Sequence, residues 1–185
     1  AMAATRLVFF NPASGSAWIG GRTMRAVARL AAVPGTEVHT TIPGGVVRQV
    51  RASLTPAITR VYAIGGDGTI GDVAAGLVDT GVPLGIVPCG TTNVLAREFG
   101  ISLFTGAATR ELECTVRTVR VPVWRVGEHV AMLGVGVGWD ARVMWVMPSV
   151  LKRRLGRAGV VLVGLREMAR YEFPDRKSTR LNSSH

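Results

Sequence analysis

Short apolar runs alternate with helical stripes along the first hundred residues. Leu7–Phe10 is an apolar run of strand length, rich in Val and Phe, and predicts a buried strand. The spacing of Met24, Val27, Ala28 and Ala31 puts them on one face of a helix over Arg22–Ala32. Pro34-Gly35 ends it, and the loose alternation of Glu37–Ile42 predicts a second strand. Val46–Leu54 reads as a helix with Val47, Val50 and Leu54 apolar. Arg60–Ile64 is a third strand, Ile70–Val78 a helix closed near Gly81, and Pro83–Val87 a fourth strand. A helix over Val94–Phe99 stops at Gly100. This alternation predicts an α/β fold with a parallel sheet covered on both faces.

After Gly100 the texture changes. Thr105–Leu112 reads as a helix with Thr105 as its cap. Val116–Val126 and His129–Val137, joined by Gly127-Glu128, read as an antiparallel hairpin opening a β-rich region. Gly134-Val135-Gly136-Val137-Gly138 lacks the third glycine of a dinucleotide fingerprint. Asp140–Leu151 is expected to be helical up to a break near Pro148. Lys152, Arg153, Arg154 and Arg157 form a basic cluster ahead of an apolar helix, Ala158–Ala169. That cluster reads either as a solvated face or as a contact for anionic head groups. The polar end 175–185, DRKSTRLNSSH, resembles a translated sequencing adapter and is set aside. The division expected is 1–112 for the α/β domain, 113–174 for part of a β-rich domain, and 175–185 for a non-native tail. The natural chain is expected to continue past Pro174.

Composition narrows the partners. The 185 residues carry 22 Lys+Arg against 12 Asp+Glu, a net charge of +10, and removing residues 175–185 leaves +8. Such a balance favours anionic partners: nucleotides, nucleic acid or an acidic membrane face. Aromatic content of 6% and the lack of a nucleic-acid motif argue against nucleic acid. Two cysteines, Cys89 and Cys114, suit a reducing compartment rather than a disulfide framework. The longest helical apolar run, Ala158–Leu165, is too short to span a bilayer.

The chemistry gathers where strands end. Ala63–Gly71 reads as a strand end, a glycine turn and a helix start. Gly65, Gly66 and Gly68 permit positive φ and close approach of a ligand. Thr69 is the expected N-cap, with Asp72 completing a capping box. A helix N-terminus after such a turn suits phosphate. Asp67 would repel that phosphate unless a cation, most simply Mg²⁺, intervenes; the alternative is a local turn bond. Asn11–Ser16, Thr40-Thr41 and Pro88–Asn93 are further polar segments at strand ends. In open parallel sheets ligands sit past those ends. Asn93 reads equally as a cap or a ligand contact.

These motifs in this order resemble the diacylglycerol kinase catalytic-domain family, which includes sphingosine and bacterial lipid kinases. Asn11-Pro12-Ala13-Ser14-Gly15 resembles its opening NPxSG, and Gly65-Gly66-Asp67-Gly68-Thr69 its GGDGT. Residues Gly85–Arg97 are similar to its G-x-x-P-x-G-T-x-N-x-x-A-R segment. Gly136–Ala141 is similar to the G-[FW]-D-A stretch of its second domain. The resemblance covers about residues 6 to 174. It implies a parallel-sheet nucleotide domain of the kind shared with NAD kinases, followed by the start of a truncated β-sandwich domain. It also implies ATP phosphates against Asn11, Ser14, Gly65, Gly66, Gly68, Thr69, Thr91 and Asn93, Thr41 as the family threonine after the second strand, and Asp67 near Mg²⁺. The implied reaction is transfer of the ATP γ-phosphoryl group to a lipid hydroxyl, diacylglycerol or a sphingoid-type acceptor, on the way to phospholipid. The implied place is the cytoplasm, peripheral at the inner membrane face, with no nucleic acid as partner and a homodimer left open. Gly71 stands where the family has Asn. The family's general base lies in later sequence, so no catalytic base is assigned. The rival readings are an NAD kinase-like enzyme and a nucleotide- or lipid-binding module without turnover.

Overall fold

The computed structural model describes residues 4–14, 20–114, 117–132, 143, 146 and 161–170. The chain divides into two compact units, Ala1–Val135 and Gly136–His185.

In the first unit four strands form a parallel sheet: β1 (Arg6–Phe10), β2 (Thr36–Thr40), β3 (Arg60–Gly65) and β4 (Leu84–Pro88), in the order β2-β1-β3-β4. The chain leaves β1 towards one edge, returns, and continues on the other side, so the sheet has a switch point between β1 and β3. In-register pairs such as Val8 with Tyr62 and Phe10 with Ile64 hold those two strands together.

Alternation along the strands sorts the core into two layers. Leu7 and Phe9 of β1 join Val61, Ala63 and Ile86 against helices α2 (Val46–Ser53) and α3 (Asp67–Leu77). Val8, Tyr62, Ile64 and Val87 face the other way, against Ala26, Val27 and Leu30 of α1 (Gly20–Ala31) and Leu112 of α5 (Thr105–Cys114). Leu7, Val8, Val61, Ile64 and Val87 are fully buried. Burial of such a side chain is worth about 1.5–3 kcal/mol, and this drives the layers together.

Several sequence expectations are corrected. On α1 the buried stripe is Thr23, Ala26, Val27 and Leu30, while Met24 is 53% exposed. The stripe that buries the large Leu30 wins over the one centred on Met24. Val47 of α2 is exposed, and Val46 and Val50 carry the contact. α3 starts at Asp67, three residues before the expected helix start at Ile70. β2 ends at Thr40 rather than Ile42. Within 117–132 only Trp124–Val126 (β5) and His129–Ala131 (β6) pair, as an antiparallel hairpin around Gly127. Residues 117–123 have no regular structure. Met132 packs on the core of the first unit.

In the second unit residues 161–168 are helical, as expected, with Val163 and Glu167 buried. Gly15, Gly136–Ala141, the basic cluster Lys152–Arg157 and the tail 175–185 lie outside the described residues, and the β-sandwich expectation rests on that part of the chain. No described helix is long and apolar enough to cross a membrane.

Candidate functional site

The switch point gathers three turns. After β1 the chain folds into a tight turn: the Asn11 Oδ1 accepts from the Ala13 N–H at 2.9 Å, and the Ser14 N–H donates to the Asn11 carbonyl at 3.0 Å. The Asn11 N–H donates to the Ile64 carbonyl at 3.2 Å, and its side-chain Nδ2 donates to the Thr69 hydroxyl at 3.3 Å. Asn11 therefore joins the end of β1 to the first turn of α3. Thr41 stands one strand further out, its N–H donating to the Phe10 carbonyl at 2.9 Å.

α3 begins without a side-chain cap. Gly66 occupies the N-cap position in extended conformation, and its carbonyl accepts from the Ile70 N–H at 3.0 Å. Thr69, the expected cap, lies inside the first turn and is buried. The N–H groups of Asp67, Gly68 and Thr69 thus fall in the turn that has no intrahelical acceptor, at the positive end of the helix dipole.

The glycines act through size, not through positive φ: none of Gly65, Gly66, Gly68 or Gly90 has a left-handed backbone. A Cβ on Gly65 would lie 2.7 Å from the Thr69 side chain, and one on Gly90 would lie 2.6 Å from the Gly66 Cα. Gly66 and Gly90 therefore press the β3 and β4 turns backbone to backbone. The Cys89 N–H donating to the Gly65 carbonyl at 2.8 Å adds to the seam. Gly68 is different, because a Cβ there would meet open space.

Asp67 reaches across this seam. Its Oδ1 accepts from the Leu95 N–H at 3.0 Å, so it caps α4 (Val94–Glu98) from 28 residues away. Neither the local turn bond nor the cation reading anticipated that contact. It uses one of the carboxylate's several lone-pair directions. Asn93, at the N-cap of α4 with φ +49, makes no side-chain cap bond. Instead its Oδ1 accepts from the Gly90 N–H and its Nδ2 donates to the Gly90 carbonyl, both at 2.8 Å. This reciprocal pair pins the turn and leaves Thr91 exposed at its tip.

Thr105, expected only as a helix cap, supports the same turn. Thr105 is buried at the start of α5, and its hydroxyl donates to the Pro88 carbonyl at 3.2 Å. Cys89 is buried beside it, and that burial pushes its thiol up from the ordinary range. No local sequence signal links Thr105 to Pro88.

Among the described residues no three His, Cys, Asp or Glu side chains gather into a metal cage. The Asp67 carboxylate, with lone pairs left beside its bond to Leu95, would suit an Mg²⁺ that accompanies a nucleotide, an ion held by one or two carboxylates and by phosphates.

The sequence pattern of the diacylglycerol kinase catalytic domain matches residues 5–126. A probable lipid kinase YegS-like protein of Klebsiella pneumoniae (strain 342) is 31% identical over 88% of this chain and 56% of its own length. A probable lipid kinase YegS-like protein of Pseudomonas fluorescens is 32% identical over 68% of this chain and 42% of its own. The chain thus spans about half the length of these curated relatives. A crystal structure of a diacylglycerol kinase from Bacillus anthracis strain Sterne shares the fold. It has a TM-score of 0.60 at 22% identity, covering 82% of this chain and 53% of that one.

Proposed function

The chain belongs to the diacylglycerol kinase catalytic domain family, and from that premise we propose that the whole protein transfers the γ-phosphoryl group of ATP to a lipid hydroxyl. The observation that carries the reading is the Asn11–Thr69 hydrogen bond. It brings the turn after β1 and the N-terminus of α3 together at the switch point, where parallel sheets hold phosphate ligands.

In this reading the N–H groups of Gly68 and Thr69 and the Asn11 turn with Ser14 hold ATP phosphates, and Thr91 and Thr41 border the nucleotide. Gly65, Gly66 and Asn93 shape the seam. Asp67 faces Mg²⁺, which supplies charge neutralisation on the phosphates. Phosphoryl transfer depends chiefly on such positioning and charge stabilisation. The acceptor is a diacylglycerol or sphingoid-type lipid, met by peripheral docking on the inner face of the membrane.

The test is transfer of radiolabel from γ-labelled ATP to a panel of lipid alcohols by the whole protein. A labelled lipid phosphate is the expected product. Label on NAD, or on nothing while ATP still binds, would replace this reading with one of its rivals.

A further inference from the structure

On one face of the sheet α1 and α5 border a cleft of about 450 Å³, whose arginines the proposed reaction does not use. Arg22, Arg25 and Arg29 line it from α1. At i, i+3 and i+7 they follow one stripe of the helix. Phe104, Thr105 and Thr109 line the other side, and no described lining residue is acidic. Of these three arginines Glu113 is hydrogen-bonded to Arg29, which donates from Nε at 2.6 Å and from a terminal nitrogen at 2.5 Å. Arg25 donates from Nε to the Gly21 carbonyl at 3.1 Å. Among the described residues these bonds leave most of the guanidinium donors for another partner.

Like charges spaced this way repel one another, and one carboxylate does not neutralise three guanidiniums. Phe104, beside them, is 77% exposed. The threonine hydroxyls turn inward: Thr109 donates to the Thr105 carbonyl at 2.7 Å and Thr105 to the Pro88 carbonyl. The cleft therefore offers a ligand cationic forks and an aromatic face. Guanidinium forks match phosphate oxygens bidentately.

We propose that the α1–α5 cleft binds a phosphate-bearing anion with an apolar or aromatic substituent, the phosphate on Arg22 and Arg25 and the substituent against Phe104. None of these residues belongs to the nucleotide crevice, so the proposal stands apart from the kinase reading. A soluble phosphate monoester and a phospholipid head group share this chemistry.

Calorimetric titration of the full chain with phenyl phosphate at low salt tests it. Saturable binding is expected, tighter than that of inorganic phosphate. Arg22→Ala with Arg25→Ala should weaken it at least tenfold. Arg22→Gln with Arg25→Gln, which keeps the stems, should do the same with an unchanged melting curve. Phe104→Ala should erase the preference over inorganic phosphate. A second arm offers phosphatidylcholine vesicles with and without phosphatidic acid. Arginine-dependent capture by the acidic vesicles identifies a head group as the source; phenyl phosphate binding without capture identifies a soluble ester. The proposal is overturned if phenyl phosphate does not bind, or if binding survives the double variants.

Discussion

The side-chain amide of Asn11 donates to the Thr69 hydroxyl at 3.3 Å across 58 residues of sequence. The same side chain accepts from the Ala13 N–H, so one amide fixes a turn and ties it to α3. The two roles separate by substitution. Asn11→Ala loses both bonds and should cost about 1 kcal/mol of stability for each. Asn11→Asp keeps the acceptor for Ala13 but directs a negative charge at the phosphates. The Asp variant should therefore melt closer to wild type yet bind ATP more weakly than the Ala variant. Thermal melts and ATP titrations check the order. If Asp binds ATP better than Ala, Asn11 does not face phosphate.

Gly65 and Gly68 should behave oppositely, although both sit in one motif. A methyl at Gly65 meets Thr69 at 2.7 Å, whereas a methyl at Gly68 meets nothing. Gly65→Ala should lower the melting temperature by forcing Thr69 aside. Gly68→Ala lies inside α3, where Ala is favoured over Gly by about 1 kcal/mol, so its melting temperature should hold or rise. Its KM for ATP should nevertheless rise at least tenfold, because the methyl fills the space a phosphate needs. Unchanged ATP kinetics in a stable Gly68→Ala protein would remove the phosphate from that turn.

The sheet was legible because each strand is a short apolar run between turn residues, and the strand–helix order admits few topologies. The α1 face was not, because Val27 belongs to both candidate stripes and only packing favours Leu30 over Met24. The start of α3 was hidden by Gly66-Asp67-Gly68, which reads locally as a turn; the helix begins there because the Gly66 carbonyl accepts from Ile70. The alternation near Val119 suggested a long strand, but only Trp124–Val126 found a partner. At the site, the motifs marked which turns converge. The contacts that join them, Asn11 to Thr69, Asp67 to Leu95 and Thr105 to Pro88, span 58, 28 and 17 residues. Local pattern does not encode such pairings.

Cys89 links the β4 turn to solution pH. Burial raises its thiol pKa, with hydrogen bonds to Thr23 and Thr105 opposing that rise. The unfolded chain releases this proton at about pH 8.5, whereas the folded protein still holds it. Stability from this group is therefore complete below that pH and lost as pH rises above it. Urea midpoints measured from pH 7 to 10 should fall more steeply for wild type than for Cys89→Ala, whatever their offset at pH 7. Parallel curves would mean that the thiol ionises as readily folded as unfolded.

Asp67 has both a structural duty and a proposed chemical one, and Asp67→Asn divides them. The carboxylate accepts the Leu95 N–H at 3.0 Å. An Asn side chain offers a carbonyl oxygen to the same N–H, so the cap on α4 survives while the charge is lost. Asp67→Ala loses both, and removal of a cap costs about 1 kcal/mol. The Ala variant should thus melt lower than the Asn variant, which should stay near wild type. If Asp67 served only as a cap, phosphoryl transfer by the whole protein would follow stability, and Asn would be nearly as active as wild type. If its charge holds Mg²⁺ against the phosphates, both variants should lose transfer alike. The loss should exceed tenfold, a barrier increase of about 1.4 kcal/mol, and should be accompanied by a higher Mg²⁺ requirement. A well-folded Asp67→Asn enzyme retaining more than about a tenth of wild-type turnover would restrict Asp67 to capping α4.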